Sequence, residues 1–352
     1  MTDLFDYLTW RGDLSFSQDK LNEIDALIFS QLTFLNLEAI VKDNPVTLGE
    51  ALDIFYAVNP PKSINLGLIV PKTIIDLGER IKNVPRFKDV LVERYALKIN
   101  KNITEQFCGV RFICGDTIVV AYQGTDDTIV GWEENFNMIA KYPIPAQTSA
   151  KLFIDDVCKK HPDKKIIICG HSKGGNLAMY AGMYMDEKYF NNVEQIYNFD
   201  GPGFEIKYIP DELRNRIVPK LINIMPYRSI IGMLLTSIGD IIPVKSKNRG
   251  VFQHDAFSWY VDVNHFTRVP ELSVQSHNIN KGILDIISKM TYEEREEFCI
   301  SLRKATDETG FNTLLELKSN SLKLIKGYKY FSSKSKKIFF ELTKLLVKNK
   351  VL

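Results

Sequence analysis

The sequence contains a serine with a glycine two residues away on each side, in the run Gly170-His-Ser-Lys-Gly174. The apolar residues before this run, Ile166 to Cys169, predict a buried strand, and residues 176–185 predict a helix. Strand, G-x-S-x-G and helix in that order are typical of a nucleophile elbow, a tight turn that holds a serine hydroxyl above the edge of a sheet. We therefore predict that Ser172 is a nucleophile and that Gly170, His171 and Gly174 form its elbow.

A nucleophilic serine needs a base that removes its proton. In proteins with this elbow the chain order is serine, acid, histidine, which excludes His161. His171 lies inside the elbow, where we expect its side chain to point away from the bond that breaks. We favour His254 as the base, because it lies in a loop after the last predicted strands. His265, as a strand or surface histidine, and His277, as a helix cap, are the alternatives.

The negative charge that develops in acyl transfer needs two backbone N–H donors. One is expected from Lys173, the residue after the nucleophile. The other is expected from the loop after an early central strand, where Gly124 permits close approach and the N–H of Thr125 can point at the oxyanion. The Thr125 hydroxyl can add a further bond. The alternative is an ordinary turn in which Thr125 caps the helix that contains Trp132.

These motifs resemble those of known families. Gln123-Gly-Thr-Asp with Trp132 downstream resembles the "RGT…W" signature of class 3 lipases. The elbow, continued as Gly-Gly-Asn-Leu-Ala, resembles their "GHSLGGALA", and Phe199-Asp-Gly-Pro-Gly-Phe resembles their "tfGsPrvGn". With Gln253-His-Asp-Ala-Phe-Ser-Trp added, the set is most similar to the bacterial Mbeg-like family. The resemblance implies an α/β-hydrolase fold and an esterase or lipase activity that acts through a Ser-His-Asp triad and an acyl-enzyme.

The acid of the triad is where the sequence departs from the lipase pattern. Class 3 lipases place an aspartate after the strand that follows "GsPrvGn", but Ser229 and its neighbours occupy that position here. Asp200, at the end of the predicted strand after the elbow helix, is the favoured acid, and Asp240 is the alternative. A Ser-His dyad or Asp255 is the remaining choice. The missing carboxylate also leaves open a non-catalytic binding protein on a hydrolase scaffold, and an acyltransferase or peptidase would use the same residues.

Lys173 differs from the leucine that ordinary lipases have after the nucleophile. A cation beside the serine could attract an acidic group of the substrate. Alternatively it forms a structural ion pair with Asp126, Asp127 or Glu133, which is the commoner role for such a charge.

The elements that must position these residues divide the chain into three parts. Residues 1–92 are predicted to be a helical extension packed on the core, and residues 93–310 to be an α/β-hydrolase core. Antiparallel strands lead that core and strands alternating with helices follow, which indicates a mostly parallel sheet flanked by helices. The apolar insert at 226–242 is predicted to be either a lid or acyl-binding wall, or a buried helix. Residues 311–352 form a basic amphipathic tail, which either packs on the domain or contacts a membrane surface.

Composition supports a soluble globular protein, with 45% hydrophobic and 25% charged residues. The net charge of +2 gives no reason to expect nucleic-acid binding. Five scattered cysteines predict neither a disulfide framework nor a metal site, and no cofactor is expected. The N-terminus lacks the pattern of a signal peptide, and no apolar run reaches the length of a membrane span. We therefore expect a cytoplasmic protein that acts on a small-molecule or lipid ester.

Overall fold

The computed structural model describes residues 2–42, 44–308, 310–313, 316 and 328–349. The strands are β1 (Val46–Thr47), β2 (Leu91–Asn100), β3 (Glu105–Cys114), β4 (Thr117–Tyr122), β5 (Lys165–His171), β6 (Val193–Phe199), β7 (Leu221–Pro226), β8 (Ile241–Val244), β9 (Val261–Asp262) and β10 (His265–Phe266). The α-helices are α1 (Leu4–Arg11), α2 (Glu23–Leu32), α3 (Leu48–Val58), α4 (Thr73–Ile81), α5 (Pro85–Lys88), α6 (Ile129–Asn137), α7 (Pro145–Lys160), α8 (Lys173–Tyr184), α9 (Asp211–Ile217), α10 (Val274–Ser288), α11 (Tyr292–Asp307) and α12 (Ser333–Lys348).

Strands β1 to β8 form one sheet in which their spatial order follows their order in the chain. Pairs from β1 to β4 are antiparallel, and pairs from β4 to β8 are parallel. Parallel neighbours need a long crossover, which the segments containing α7, α8 and α9 supply for the pairs from β4 to β7. The predicted fold class is confirmed: this is an α/β-hydrolase fold, with a mostly parallel sheet flanked by helices.

The central strands are buried on both faces. β4 and β5 are apolar almost throughout, and each exposes at most its first residues, as expected for parallel strands covered by helices on either side. Helix α2 packs against β5 from one side, and α8 packs against it from the other. The carboxyl end of β5 is therefore held between two layers of helix, and Ser172 follows it directly.

The N-terminal section is more closely integrated than a helical extension. It contains five helices, but β1 adds a strand to the main sheet by pairing with β2. All ten residues of α2 are buried, including Asp25. The Asp25 carboxylate pairs with Arg86 at 2.6 Å, both side chains have no exposed surface, and Tyr7 donates a further hydrogen bond to Asp25. The predicted division of the chain between residues 92 and 93, into an N-terminal section and a core, stays a prediction.

The insert between β7 and β8 is an irregular loop, so the helix alternative is wrong. Met233, Leu235 and Ile238 are buried in it. Its backbone is tied to the loop after β6 by a bridge between Phe204 and Thr236. Leu235 and Ile238 belong to the core cluster that contains Ile217, and Met233 packs with Met225 and Leu272.

The described part of the tail contains one α-helix, α12, and residues 314–315, 317–327 and 350–352 of the tail lie outside the described residues. Helix α12 packs on α10 and α11 through Ile338, Leu342 and Leu345. This packing uses the apolar face that a membrane contact would need, so the structure does not support membrane contact through that face. No helix in the described ranges is long and apolar enough to cross a bilayer.

Arg86→Met tests whether the N-terminal section is part of the cooperative core. The substitution leaves the buried Asp25 carboxylate without its ion-pair partner, and we expect the free energy of unfolding to fall by about 3–5 kcal/mol. Urea unfolding measures the loss. Arg80→Met, on the exposed side of α4, is the matched control and should change stability by less than about 0.5 kcal/mol. Equal losses of stability in the two variants would contradict the inclusion of the N-terminal section in the cooperative core.

Candidate active site

Ser172 lies between the last residue of β5 and the first residue of α8, in a strained backbone conformation. Its φ of 58° and ψ of −131° are sparsely populated for a residue with a side chain. The turn is tight because glycines allow it: a Cβ on Gly170 would lie 2.1 Å from the Gly174 carbonyl, and a Cβ on Gly174 would lie 2.1 Å from the Tyr122 oxygen. The predicted elbow residues thus have the geometry that a nucleophile elbow requires.

Neighbouring strands fix the backbone of the elbow. The N–H of Ser172 donates to the oxygen of Phe199 at 2.9 Å, and the oxygen of Ser172 accepts from the N–H of Gly175 at 2.9 Å. The side chain is partly exposed and stands at the N-terminus of α8, where the helix dipole favours negative charge.

His254 and Asp200 form a hydrogen-bonded pair next to this turn. The Nδ1 atom of His254 lies 2.6 Å from Oδ2 of Asp200. The carboxylate has no exposed surface, and Asp200 directly follows the residue whose oxygen binds the Ser172 N–H. A carboxylate accepts only, so Nδ1 carries the proton and Nε2 is left free to accept one. Among the described residues no hydrogen bond joins the Ser172 hydroxyl to the imidazole, and in structures without substrate this contact is often long.

Two donors besides His254 hold the Asp200 carboxylate. The hydroxyl of Ser229 donates to Oδ1 at 2.5 Å, and the N–H of Gly232 donates to the same atom at 3.1 Å. By its place in the sequence, Ser229 is among the residues that match the acid of class 3 lipases. In this chain its hydroxyl instead donates to Asp200, the residue that follows the neighbouring strand β6. Asp200 has a φ of 50°, and its N–H is anchored to the oxygen of Ile224.

The other acid candidates lie elsewhere. Asp240 is exposed, and within the described part of the chain it makes no hydrogen bond to His254. Asp255 accepts the N–H of Phe257 at 3.1 Å and caps the short helix Ala256–Ser258, and burial raises the pKa of its carboxyl group. The structure therefore brings Asp200, and neither of these carboxylates, to the imidazole.

The short helix Gly250–His254 presents His254, and Gln253 holds this helix in place. The Gln253 side chain accepts the N–H of Arg228 at 2.8 Å, and its backbone oxygen accepts the indole N–H of Trp259 at 2.7 Å. Trp259 is fully buried. His254 thus lies on a segment that is anchored both to the insert after β7 and to the core.

The expectation that His171 points away from the bond that breaks stays a prediction. Its ring stacks on the ring of His254, with centroids 4.6 Å apart and planes 27° from parallel. Its Nε2 donates to the backbone oxygen of His254 at 2.9 Å, because a carbonyl only accepts. Burial, followed by the charge of His254, holds the pKa of His171 well below its usual range, so His171 is neutral. The alternatives His265 and His277 are exposed, on β10 and α10.

The loop that contains Gly124 and Thr125 lies against the elbow. A Cβ on Gly124 would lie 2.8 Å from the oxygen of His171 and 3.3 Å from Cβ of Ser172. The hydroxyl of Thr125 is bonded to the Asn135 amide, whose nitrogen donates to it at 2.8 Å and whose Oδ1 accepts from it at 3.1 Å. Within the described ranges the Thr125 N–H has no acceptor. The N–H of Lys173 is the first of α8 and belongs to the groups that a helix leaves unpaired.

The side chain of Lys173 is buried, with 1% of its surface exposed, and cannot meet a substrate. Lys173 forms a structural ion pair, as the second of the two interpretations of this residue expected. The partners predicted for it, Asp126, Asp127 or Glu133, were wrong. Its ammonium lies 2.9 Å from Glu134, one residue beyond the Glu133 that was considered. Adjacent residues of a helix point about 100° apart, and the sequence does not show which of two neighbouring glutamates faces inward.

A cavity of about 270 Å³ opens beside the Gly124 loop. One of its lining residues, Phe34, also lies near the elbow loop, because its Cζ is 3.5 Å from the point at which a Gly124 Cβ would stand. The N-terminal section and β2 supply much of its wall. The apolar lining residues are Phe34, Leu66, Val70, Tyr95, Leu97 and Ile99, and Asp126 and Asp127 lie at one side. In the described part of the chain, no group of three or more His, Cys, Asp or Glu side chains could hold a metal ion.

The neutral state of His171 predicts a pH dependence of stability. The unfolded chain protonates this residue below about pH 6.5, whereas the native chain does not, so stability is complete above that pH and falls by up to about 1.4 kcal/mol per pH unit below it. We expect His171→Gln to show a smaller loss of stability between pH 7.5 and 5.5 than the unchanged protein, as measured by urea unfolding. His277→Gln, at an exposed site, should keep the original dependence, and identical slopes in both variants would contradict a neutral His171.

The structure is similar to several solved lipases. A mono- and diacylglycerol lipase from Aspergillus oryzae is 14% identical, with 76% of this chain and 86% of that chain covered and a TM-score of 0.42. The Lip2 lipase from Yarrowia lipolytica is 13% identical, with 73% and 87% covered and a TM-score of 0.39. Among curated proteins, none matches the sequence. The model of the Mbeg1-like family matches residues 81–303, which is more than half of the chain. The chain therefore belongs to the Mbeg1-like family.

Proposed function

We propose that the protein is a serine hydrolase of carboxylic esters. The observation that carries the proposal is the hydrogen bond between His254 and a fully buried Asp200, beside a serine held in a strained elbow. A carboxylate without exposed surface is costly to bury, and one that is bonded to an imidazole Nδ1 orients that ring. Asp200, which directly follows β6, is the carboxylate that we assign to the triad, and its bond to His254 supports a catalytic role over a non-catalytic scaffold.

In the proposed mechanism the Ser172 oxygen attacks the ester carbonyl carbon while its proton passes to Nε2 of His254. The electron pair of the carbonyl moves to its oxygen, and the N–H groups of Thr125 and Lys173 bind the oxyanion. Collapse of this intermediate breaks the ester bond, and the imidazolium gives its proton to the departing alcohol oxygen. A water molecule then repeats the two steps on the acyl-enzyme and releases the acid.

The cavity beside Gly124 supports a substrate with an apolar portion. Phe34, Leu66 and Leu97 provide apolar surface in this cavity, on a wall formed by the N-terminal section and β2, and Phe34 also lies near Gly124 of the loop that faces the elbow. We therefore propose that an ester of a small molecule or a lipid is bound there during acyl transfer.

Ser172→Ala tests the nucleophile. The unchanged protein should hydrolyse p-nitrophenyl esters and be labelled by a fluorophosphonate probe. The variant should lose labelling, and its hydrolysis should fall to the background rate, because no other group can form the acyl-enzyme. Ser288→Ala, on the exposed side of α10, is the matched control and should be labelled like the unchanged protein. Failure of the unchanged protein in both assays, or full activity of Ser172→Ala, would overturn the proposal.

Asp200→Asn tests the acid. An amide at this position can hold the imidazole in the wrong tautomer, and we expect kcat to fall by about 10⁴-fold while the fold is kept. Steady-state kinetics on the best ester of the series measures the effect. Asp240→Asn should change kcat by less than about twofold, since Asp240 is exposed and apart from His254. The opposite ranking of the two variants would move the acid to Asp240.

A further inference from the structure

We propose that Gln106, Lys173 and Glu134 form a buried positioning network that orients both backbone donors of the oxyanion hole. This inference rests on the proposed function. The network lies beneath the elbow, and its members are fully or almost fully buried: Lys173 is 1% exposed, and Gln106 and Glu134 have no exposed surface. None of the three side chains reaches the place where a substrate would lie, so their role is to position other groups.

The ammonium of Lys173 uses all three of its donors inside the protein. It donates to the backbone oxygen of Gln106 at 2.7 Å, to Oε1 of Gln106, and to Oε2 of Glu134 at 2.9 Å. An ammonium has three N–H groups and no acceptor, so its capacity is filled. The stem of Lys173 therefore runs from the first turn of α8 to a fixed point at the start of β3.

Glu134 is equally saturated. Its Oε2 atom also accepts the N–H of Gln106 at 3.1 Å, and its Oε1 atom accepts the N–H of Ala146 at 2.9 Å. A buried ion pair contributes little net stability, because desolvation offsets the attraction. What this pair does supply is a defined geometry, since α6, the start of α7 and the start of β3 are all bonded to one carboxylate.

The ammonium decides which way the Gln106 amide faces. Because Lys173 can only donate, it binds the amide oxygen and turns the amide nitrogen to the opposite side. That nitrogen donates to Oε1 of Gln123 at 3.2 Å and to the backbone oxygen of Gly124 at 3.4 Å. Without the ammonium the amide could rotate and present its oxygen to the Gly124 oxygen, which would be repulsive.

The Gly124 oxygen and the Thr125 N–H belong to one planar trans peptide, in which they point in opposite directions. Binding of the oxygen by Gln106 therefore turns the Thr125 N–H away from the buried network. The Gly124 contact with Ser172 shows that the elbow lies against this loop. The second donor, the Lys173 N–H, is on the same residue as the ammonium. One chain of hydrogen bonds thus links the two donors that the proposed mechanism requires.

The test uses Gln106→Met, which keeps the length of the side chain and removes its amide. Lys173 retains Glu134 and a backbone oxygen, so the ion pair is kept. Removal of an oxyanion donor costs about 10²–10³ in kcat, and a misdirected donor should cost about 10- to 100-fold, with KM changed less than about threefold. Affinity for a boronic acid that forms a tetrahedral adduct on Ser172 should fall by the same factor as kcat. Affinity for the carboxylic acid product should stay within about threefold.

The matched control is Gln147→Met, another buried glutamine with two hydrogen bonds, whose partners are Asn176 and the N–H of Ile144. It should lower the melting temperature about as much as Gln106→Met does and leave kcat within about twofold. If Gln106→Met keeps kcat and boronic acid affinity at the level of this control, the inference is overturned while the proposed function stands. If the unchanged protein neither hydrolyses esters nor labels at Ser172, both are overturned.

A second variant tests the inference if Gln106→Met does not fold. Lys173→Met combined with Glu134→Gln removes both charges together, so no buried carboxylate is left unpaired, and such replacements are often tolerated. The amide of Gln106 then loses the group that sets its direction. We expect the same loss of kcat and of boronic acid affinity as in Gln106→Met. Activity equal to that of the unchanged protein in this double variant would also overturn the inference.

Discussion

The active-site geometry depends on the burial of one carboxylate. Asp200 has no exposed surface, so its two oxygens must be hydrogen-bonded within the protein. The three donors that meet this requirement come from separate segments: Ser229 and Gly232 from the insert after β7, and His254 from the loop after β8. Satisfying the carboxylate therefore folds both segments over the carboxyl ends of β6 and β7. The same contact fixes the Nδ1 side of the imidazole.

A second buried charge stands on the other side of the elbow. Lys173 and Glu134 lie beneath the first turn of α8, and they are satisfied by the start of β3 and the start of α7. Two buried polar clusters thus lie next to the strained turn at Ser172. Strain at a single residue persists when the surroundings over-determine its conformation, and buried networks of this kind are rigid because each member lacks an alternative partner. The N-terminal section adds to this rigidity, since α2 packs against β5, the strand that leads into the turn.

Much of the fold and part of the site could be predicted because the relevant signals are local. The elbow could be predicted because all of its parts are neighbours in the sequence: the apolar run before Gly170, the glycines, and the helix after them. The alternation of later strands and helices indicated a mostly parallel sheet by the same kind of local pattern. Gly124 could be predicted to lie against the elbow, because a residue without a side chain lets the backbone of a loop approach another segment closely. The integration of the N-terminal section was not predicted, because β1 is two residues long and pairs with a strand some 45 residues away.

The sequence by itself indicated the G-x-S-x-G turn between a strand and a helix, the loop that faces it and the class of fold, and it limited the candidate base and the candidate acid to a few residues each. Only the tertiary structure decided that Asp200 meets His254, that Ser229 supports this carboxylate, that His171 stacks on the base and that Lys173 pairs with Glu134. The physical reason is that the packing of distant segments selects among chemically equivalent groups. It buries Asp200 and leaves Asp240 exposed. Glu133 and Glu134 are both buried, and they differ in the partner that each one faces, Thr306 for Glu133 and Lys173 for Glu134.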